Sequence, residues 1–420
     1  MKRILRSSDP WIFFLAIAAT ILGIVFIQDA GYARWIQSGR TGIPQEVRTQ
    51  IGLAIASLFA YKFCSGVKIE QIRTWSKLIW LVNLVLLLLV RFAGHRLNGA
   101  QRWLGFGALS IQPAEFAKVA AIVYLAGYFA NRKAWPARIK PQRDWALRID
   151  NIWVPKITRC GPAIWVAISA VLVLVEPDMG TAAVILATGY AMFFPGGVTV
   201  NSRVVAFVFA VLAAGIAVKI EPYRLQRVLD HPTRWTAKNI DDTEFQTVQA
   251  ELAIATGGLK GVGLGQGRAK HILPATTTDY IGATIGEETG LVGSLGILAL
   301  LGAMVFRLFY LAQRAPSRFG MLLTFGVACW LGIQTCVNLM MANAFLPSIG
   351  IPLPFISSGG SSLMALWMAM GLCQAAMVPE PTRSEQSKQK VARRTRNTKP
   401  YDRGTNQVPV LTTNYRGRLR

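Results

Sequence analysis

Ten apolar runs, each long enough or nearly long enough to cross a bilayer, constrain what this chain can fold into. They fall at about 11–28, 50–64, 77–92, 112–131, 161–175, 179–195, 204–220, 280–306, 320–342 and 355–378. A segment in lipid must satisfy its backbone hydrogen bonds internally. The expected fold class is therefore an all-α polytopic membrane protein of about ten transmembrane helices. Composition agrees, since 52% of the 420 residues are hydrophobic, only 16% are charged, and the mean hydropathy is +0.38. Residues 1–6 are basic and precede the apolar run 11–27, the outline of a secretory signal. The run is longer than a signal core and many more follow, so it reads as the first membrane helix.

A net charge of +24 raises the question of a nucleic-acid partner, and the positions of the basic residues answer it. They lie between the apolar runs and in the tail, where Lys and Arg set orientation and meet anionic lipid, so no nucleic-acid partner is expected. An even number of spans puts both termini on one side. The odd-numbered ends carry Lys2, Arg3 and Arg6, then Lys68 and Arg73, then a basic stretch from Arg132 to Arg159, then Arg307, Arg314 and Arg318. These ends, and both termini, are expected in the cytoplasm. Residues 91–112 and a segment of about sixty residues, 221–280, then face outward.

The division expected is a membrane domain over 1–378, with its extracytoplasmic loop at about 221–280, and a basic, disordered cytoplasmic tail over 379–420. Within the loop, Phe245, Val248, Leu252 and Ala255 recur at helical spacing and Gly257-Gly258 follows. That pattern predicts a short amphipathic helix lying on the membrane surface. The spans 161–175 and 179–195 are short and joined by Glu176-Pro-Asp-Met-Gly180. The junction is either a polar site between interrupted helices or a tight hairpin with its acids at the outer surface. The five cysteines form no CxxC pair and the three histidines are scattered, so neither a disulfide framework nor a zinc site is indicated.

Four polar clusters share the outward side: Asn98-Gly-Ala-Gln-Arg-Trp103, the Glu176–Gly180 junction, the region of Asp279, and a Pro/Gly/Ser-rich stretch from Leu346 to Ser362. Arg102, beside Trp103, is a permanent cation suited to a phosphate or to lipid headgroups. Glu115 and Lys118 are three apart and share a helix face, as an ion pair or as ligand contacts. Ser357, Ser358, Ser361 and Ser362 flank Gly359-Gly360, a pattern for close packing or a polar cleft, without a neighbouring His or Lys to activate a serine. Asp279 ends the polar sequence Leu273-Pro-Ala-Thr-Thr-Thr-Asp279 just before an apolar run. It is either the cap of that helix or a catalytic acid or base. The catalytic candidate is Asp279; the substrate-binding candidates are Arg102, Trp103, Glu115, Lys118, Asp178, Thr278, Ser357, Ser358 and Ser361.

The ordered set of motifs Asn98-Gly-Ala-Gln-Arg-Trp-Leu104, Gln112-Pro-Ala-Glu-Phe-Ala-Lys118, Glu176-Pro-Asp-Met-Gly-Thr-Ala182, Gly261-Val-Gly-Leu-Gly265, Leu273–Asp279, Gly286-Glu-Glu-Thr-Gly290 and Gly350–Ser362 resembles the SEDS family (shape, elongation, division and sporulation), from about residue 9 to 377. The resemblance implies a peptidoglycan glycosyltransferase of the bacterial cytoplasmic membrane that joins lipid II units on the outer face and releases undecaprenyl pyrophosphate. It implies that Asp279 is the essential acid, acting as base on the attacking sugar hydroxyl of lipid II or the growing glycan strand. It also implies a class B penicillin-binding protein, a transpeptidase, as partner. Arg102 and Lys118 are suppliers of positive charge to the departing pyrophosphate, and a divalent cation such as Mg or Mn is the alternative. Ala275, Thr277, Tyr280, Gly282 and Ser358 depart from the family pattern, while Thr278-Asp279 keeps it. Two other classes fit ten spans: a lipid II flippase or transporter, and a noncatalytic scaffold of the cell-wall machinery.

Overall fold

The computed structural model of the protein describes residues 9–97, 100–105, 110–131, 154–198 and 200–379. The basic residues at 1–8 and 132–153 and the tail from 380 lie outside the described residues. The apolar runs are carried by α1 (Pro10–Gln37), α2 (Gln45–Gly66), α3 (Ile69–Ala93), α4 (Pro113–Ala130), α5 (Val154–Val175), α6 (Met179–Met192) and α7 (Val200–Ile220). After three short helices, α8 (Pro222–Asp230), α9 (Phe245–Gly257) and α10 (Ala269–Ile272), come α11 (Ile281–Arg314), α12 (Arg318–Ala342) and α13 (Gly360–Ala376). Of these, α1, α3, α7, α11 and α12 are long and apolar enough to cross a membrane by length and composition alone. The protein is a multi-pass helical membrane protein. Among the described residues it also has an antiparallel hairpin, β1 (His95–Leu97) and β2 (Ala100–Trp103), which holds Arg102, and an isolated bridge between Leu104 and Ile111.

The junction after α5 is a tight hairpin, but its acids are not at the surface: Glu176 is 2% and Asp178 5% exposed. The last apolar run begins with buried, non-helical chain rather than helix. Pro352 and Pro354 keep it from coiling, and Ile351, Leu353, Phe355 and Ile356 are buried before α13 starts at Gly360. It presses on α1 so closely that a Cβ on Gly23 would lie 2.7 Å from the backbone of Ile356. Irregular backbone at such depth is tolerated where protein encloses and bonds it.

Helix α11 is broken at Gly290, whose φ of 65° and ψ of −164° only glycine adopts without strain. Chain from the preceding loop runs along the break. The N–H groups of Leu291 and Val292 donate to the carbonyls of Gly258 and Leu259 (2.9 and 3.2 Å), while those of Val262 and Gly263 donate to the carbonyls of Glu287 and Glu288 (both 3.0 Å). A Cβ on Gly290 would stand 2.4 Å from the Gly261 nitrogen. Gly290→Ala is therefore expected to cost at least about 1–3 kcal/mol, read as a lower thermal midpoint of the detergent-solubilised protein.

The amphipathic helix expected in the long loop forms as α9 and stops where expected, with Gly258 at φ 53°. Its buried face is a different one. Thr247, Val248, Ala250, Ala253 and Gly257 are covered and Leu252 is exposed, because α9 packs on α11. Small residues carry this contact: a Cβ on Gly257 would be 2.0 Å from the Gly286 carbonyl. The spacing of the large apolar residues therefore did not mark the face that α9 buries against α11.

Candidate functional site

Asp279 is held by two seams. Thr278 and Tyr280 donate their N–H groups to the Ala275 carbonyl (3.2 and 3.1 Å), closing a turn that the Thr278 hydroxyl joins weakly at 3.4 Å. On one side the Ser357 hydroxyl donates to the Thr278 carbonyl at 2.6 Å, and the Ser358 N–H donates to the Thr277 carbonyl at 2.8 Å. On the other, the fully buried Asn338 of α12 donates to the carbonyls of Asp279 (2.9 Å) and Ile351 (2.7 Å). The chain entering α11 is thus fixed through its backbone, and no side chain caps that helix. Asp279 is not the cap. A Cβ on Gly350, at φ 70°, would lie 3.4 Å from Asp279 Oδ2, so the glycine leaves open space beside the carboxylate.

Asp279 precedes the spanning helix and is partly buried. Burial pushes its pKa up to about 6; Asp178 and, more weakly, Glu115 push the same way, while Arg102 and Arg227 pull it down. Two guanidiniums and two other carboxyls therefore act on one acid that is mostly ionised at pH 7 and only weakly acidic. A carboxylate tuned in this direction suits a general base working near neutrality.

Arg102 is placed by the hairpin and by the α5–α6 turn: its Nε donates to the Glu176 carbonyl at 2.9 Å and its Nη2 to the Pro177 carbonyl. Trp103 follows on β2 in register with His95. Asp178 caps α6, accepting from the Thr181 N–H at 3.0 Å, and takes a second bond from Gln112 Nε2 at 3.1 Å. Burial raises its pKa, against the pull of Arg102. Glu176 is pushed up to about 8, by burial and then by Asp178, and its buried carboxyl oxygens have no hydrogen-bond partner. At pH 7 it is mostly a neutral acid. Ser361 Oγ accepts from the Gln112 N–H at 3.0 Å, joining α13 to the start of α4.

Lys118 is set back from this group. It is 3% exposed, paired with Glu115 at 2.7 Å, bonded to Gln334 Oε1 at 3.1 Å, and lies 5.2 Å from the centre of the Trp330 ring. Gln334 in turn donates to the Pro352 carbonyl at 2.9 Å. Lys118 thus braces, through Gln334, the same loop that Asn338 ties to Asp279.

Sequence reasoning missed Asn338, Gln334 and Arg227. The two amides stand one turn apart in an apolar run, a costly placement in lipid that signals a buried polar role. Arg227, on α8, donates Nη1 to the Ser348 carbonyl at 2.7 Å and lies 4.6 Å from the Tyr223 ring centre, but its sequence context reads as an ordinary charged loop. Asn338→Leu strands two carbonyls, so a loss of about 1–3 kcal/mol is expected from thermal unfolding. Among the described residues no three His, Cys, Asp or Glu side chains gather as a metal-holding group.

Apolar helices long enough to span a bilayer, one of them interrupted at Gly290, with polar side chains buried among them, define a polytopic membrane protein. The model of the cell cycle protein family of FtsW, RodA and SpoVE matches residues 10–380, and the chain belongs to that family, the one its motifs resemble. It is 33% identical over 375 residues to the probable peptidoglycan glycosyltransferase FtsW of Dichelobacter nodosus, covering 88% of this chain and 89% of that protein. It is 31% identical over 375 residues to the stage V sporulation protein E of Bacillus subtilis, covering 87% of this chain and 96% of the relative. A solved structure of a peptidoglycan synthase complex, described as coordinating polymerization and crosslinking, matches with a TM-score of 0.70 and 26% identity, over 88% of this chain and 97% of that one.

Proposed function

We propose that this protein is a peptidoglycan glycosyltransferase that polymerises lipid II on the outer face of the bacterial cytoplasmic membrane and releases undecaprenyl pyrophosphate. The observation that carries the reading is Asp279 itself: a carboxylate with no hydrogen bond or ion pair to its oxygens among the described residues, raised in pKa by burial and faced by Arg102 and Arg227. Asp279 takes the proton from the attacking sugar hydroxyl. The hydroxyl oxygen bonds to the anomeric carbon as that carbon's bond to the diphosphate oxygen breaks, and the electron pair leaves on the diphosphate. Its charge is met by the guanidiniums of Arg102 and Arg227, while Lys118 acts from behind by bracing the loop. A divalent cation carried in on the diphosphate is the alternative supplier of that charge, and EDTA followed by Mg2+ or Mn2+ add-back distinguishes the two.

A lipid-borne substrate also needs an apolar berth, and a cavity of about 380 Å³ between α5, α6 and α7 offers one. It is lined by residues such as Val166, Leu174, Ala183 and Phe209, and it includes Met179, next to Asp178. Cytoplasmic termini and a class B penicillin-binding protein as partner complete the proposal; the first rests on the basic loops, the second on the likeness to the synthase complex. Purified protein supplied with lipid II and such a partner should yield glycan polymer on a gel. Translocated lipid without polymer would favour a flippase, and neither product would favour a scaffold.

A further inference from the structure

A second cavity, this one with polar groups in its wall and a volume of about 490 Å³, opens between the end of α1 and the start of α2. Its volume is that of a small-molecule site rather than a packing defect. Ser38 lines it from the turn just after α1, and Gly31 and Trp35, four residues apart, line it from one face of that helix. Glu46, Thr49, Gln50 and Leu53 line it from α2 in the same way. Polar side chains on the face of a membrane helix are costly against lipid and mark a cavity. Tyr32 and Ile36, on the other stripe of α1, are exposed at 45% and 52%. Trp35 turns inward instead, with its indole N–H donating to the Thr41 carbonyl at 3.2 Å. The Arg40 guanidinium, also on the cavity wall, lies over the ring 5.0 Å from its centre, so a flat group stacking on that face takes the place of Arg40.

The far wall of the cleft is the chain that holds the catalytic candidate. Ser358 and Gly360 line it, and the Ser358 N–H is bonded to the Thr277 carbonyl, two residues before Asp279. A Cβ on Gly31 would lie 3.6 Å from Glu46 Oε2 and 4.0 Å from Thr277 Cγ2, which puts α1, α2 and the Asp279 loop at one point. An indole platform ringed by amide, hydroxyl and carboxylate groups suits a ligand with one apolar face and a rim of hydroxyl and amide groups. That is the chemistry of an N-acetylated sugar.

We propose that this cleft is a subsite for the N-acetylated sugars of the glycan strand, with Trp35 as its stacking platform, and that it retains the strand between additions. The inference rests on the polymerase reading above. Trp35→Ala in the full-length protein should raise strand release about tenfold and shorten mean strand length by the same factor, because losses of this kind appear chiefly in the off-rate. Trp35→Phe keeps a ring but loses the N–H bond to Thr41, so it should keep most of the strand length. Chitotetraose binding, measured on an Asp279→Asn background where no polymer is made, should weaken about tenfold in Trp35→Ala. Unchanged strand length in Trp35→Ala, equal shortening in Ala and Phe, or unchanged chitotetraose affinity would each overturn the subsite. If the wild-type chain makes no polymer, the polymerase reading fails, and the chitotetraose titration alone decides the cleft.

Discussion

Asp279→Asn is expected to abolish glycan polymerisation while leaving the protein folded. The substitution keeps the size of the side chain and removes its basicity, so the loss measures proton transfer, about 100- to 10,000-fold. Folding should survive because Asp279 is held through its backbone: Asn338 binds its carbonyl and Ser357 the carbonyl before it, while its side chain neither caps α11 nor takes part in an ion pair. Asp279→Glu tests position separately. Its longer side chain meets the space beside Gly350, so it should recover only part of the rate. A scaffold would tolerate all three residues equally.

Lys270→Met is the second large effect, and it acts on the fold. The Lys270 ammonium, 3% exposed, bridges Glu288 at 2.7 Å and Asp29 of α1 at 3.0 Å. Burial alone would lower its pKa, but the bonds to Glu288 and Asp29 outweigh that and hold it above the ordinary lysine value. Glu288 is 1% exposed and also accepts the N–H groups of Gly265 and Gly267, while Glu287 accepts those of Arg268 and Ala269. These two carboxylates gather the glycine-rich chain before Asp279 onto the first turns of α11. Removing the lysine leaves a buried carboxylate without its cation, at a cost of about 3–5 kcal/mol. Thermal unfolding should show most of that loss, and Lys270→Met combined with Glu288→Gln should recover much of it. A double variant as unstable as the single one would mean that the lysine acts by packing.

The helical framework was legible because a membrane helix advertises itself: backbone satisfied along one segment needs an unbroken apolar run. Asp279, Arg102 and Asp178 stood out in the sequence for the opposite reason, as polar residues where lipid makes them costly. Less visible were features decided by backbone approach. The break at Gly290 and the contact of α9 through Ala250, Ala253 and Gly257 depend on small residues, which carry no periodic apolar signal. Arg227 was hidden because a cation in a polar loop looks solvated until α8 folds it toward Ser348. Lys118 was visible as half of an ion pair, but its bond to Gln334 needed the packing of α4 on α12.

The pH dependence of lipid II polymerisation by the purified protein tests the role of Asp279 most directly. A base must be ionised to accept a proton, so activity should be full above the Asp279 pKa of about 6 and lost as pH falls through it. Below that point kcat/KM should drop about tenfold per pH unit, and Asp279→Asn should lie at background throughout. A wild-type profile flat down to pH 5, or polymer from Asp279→Asn at the wild-type rate, would contradict it.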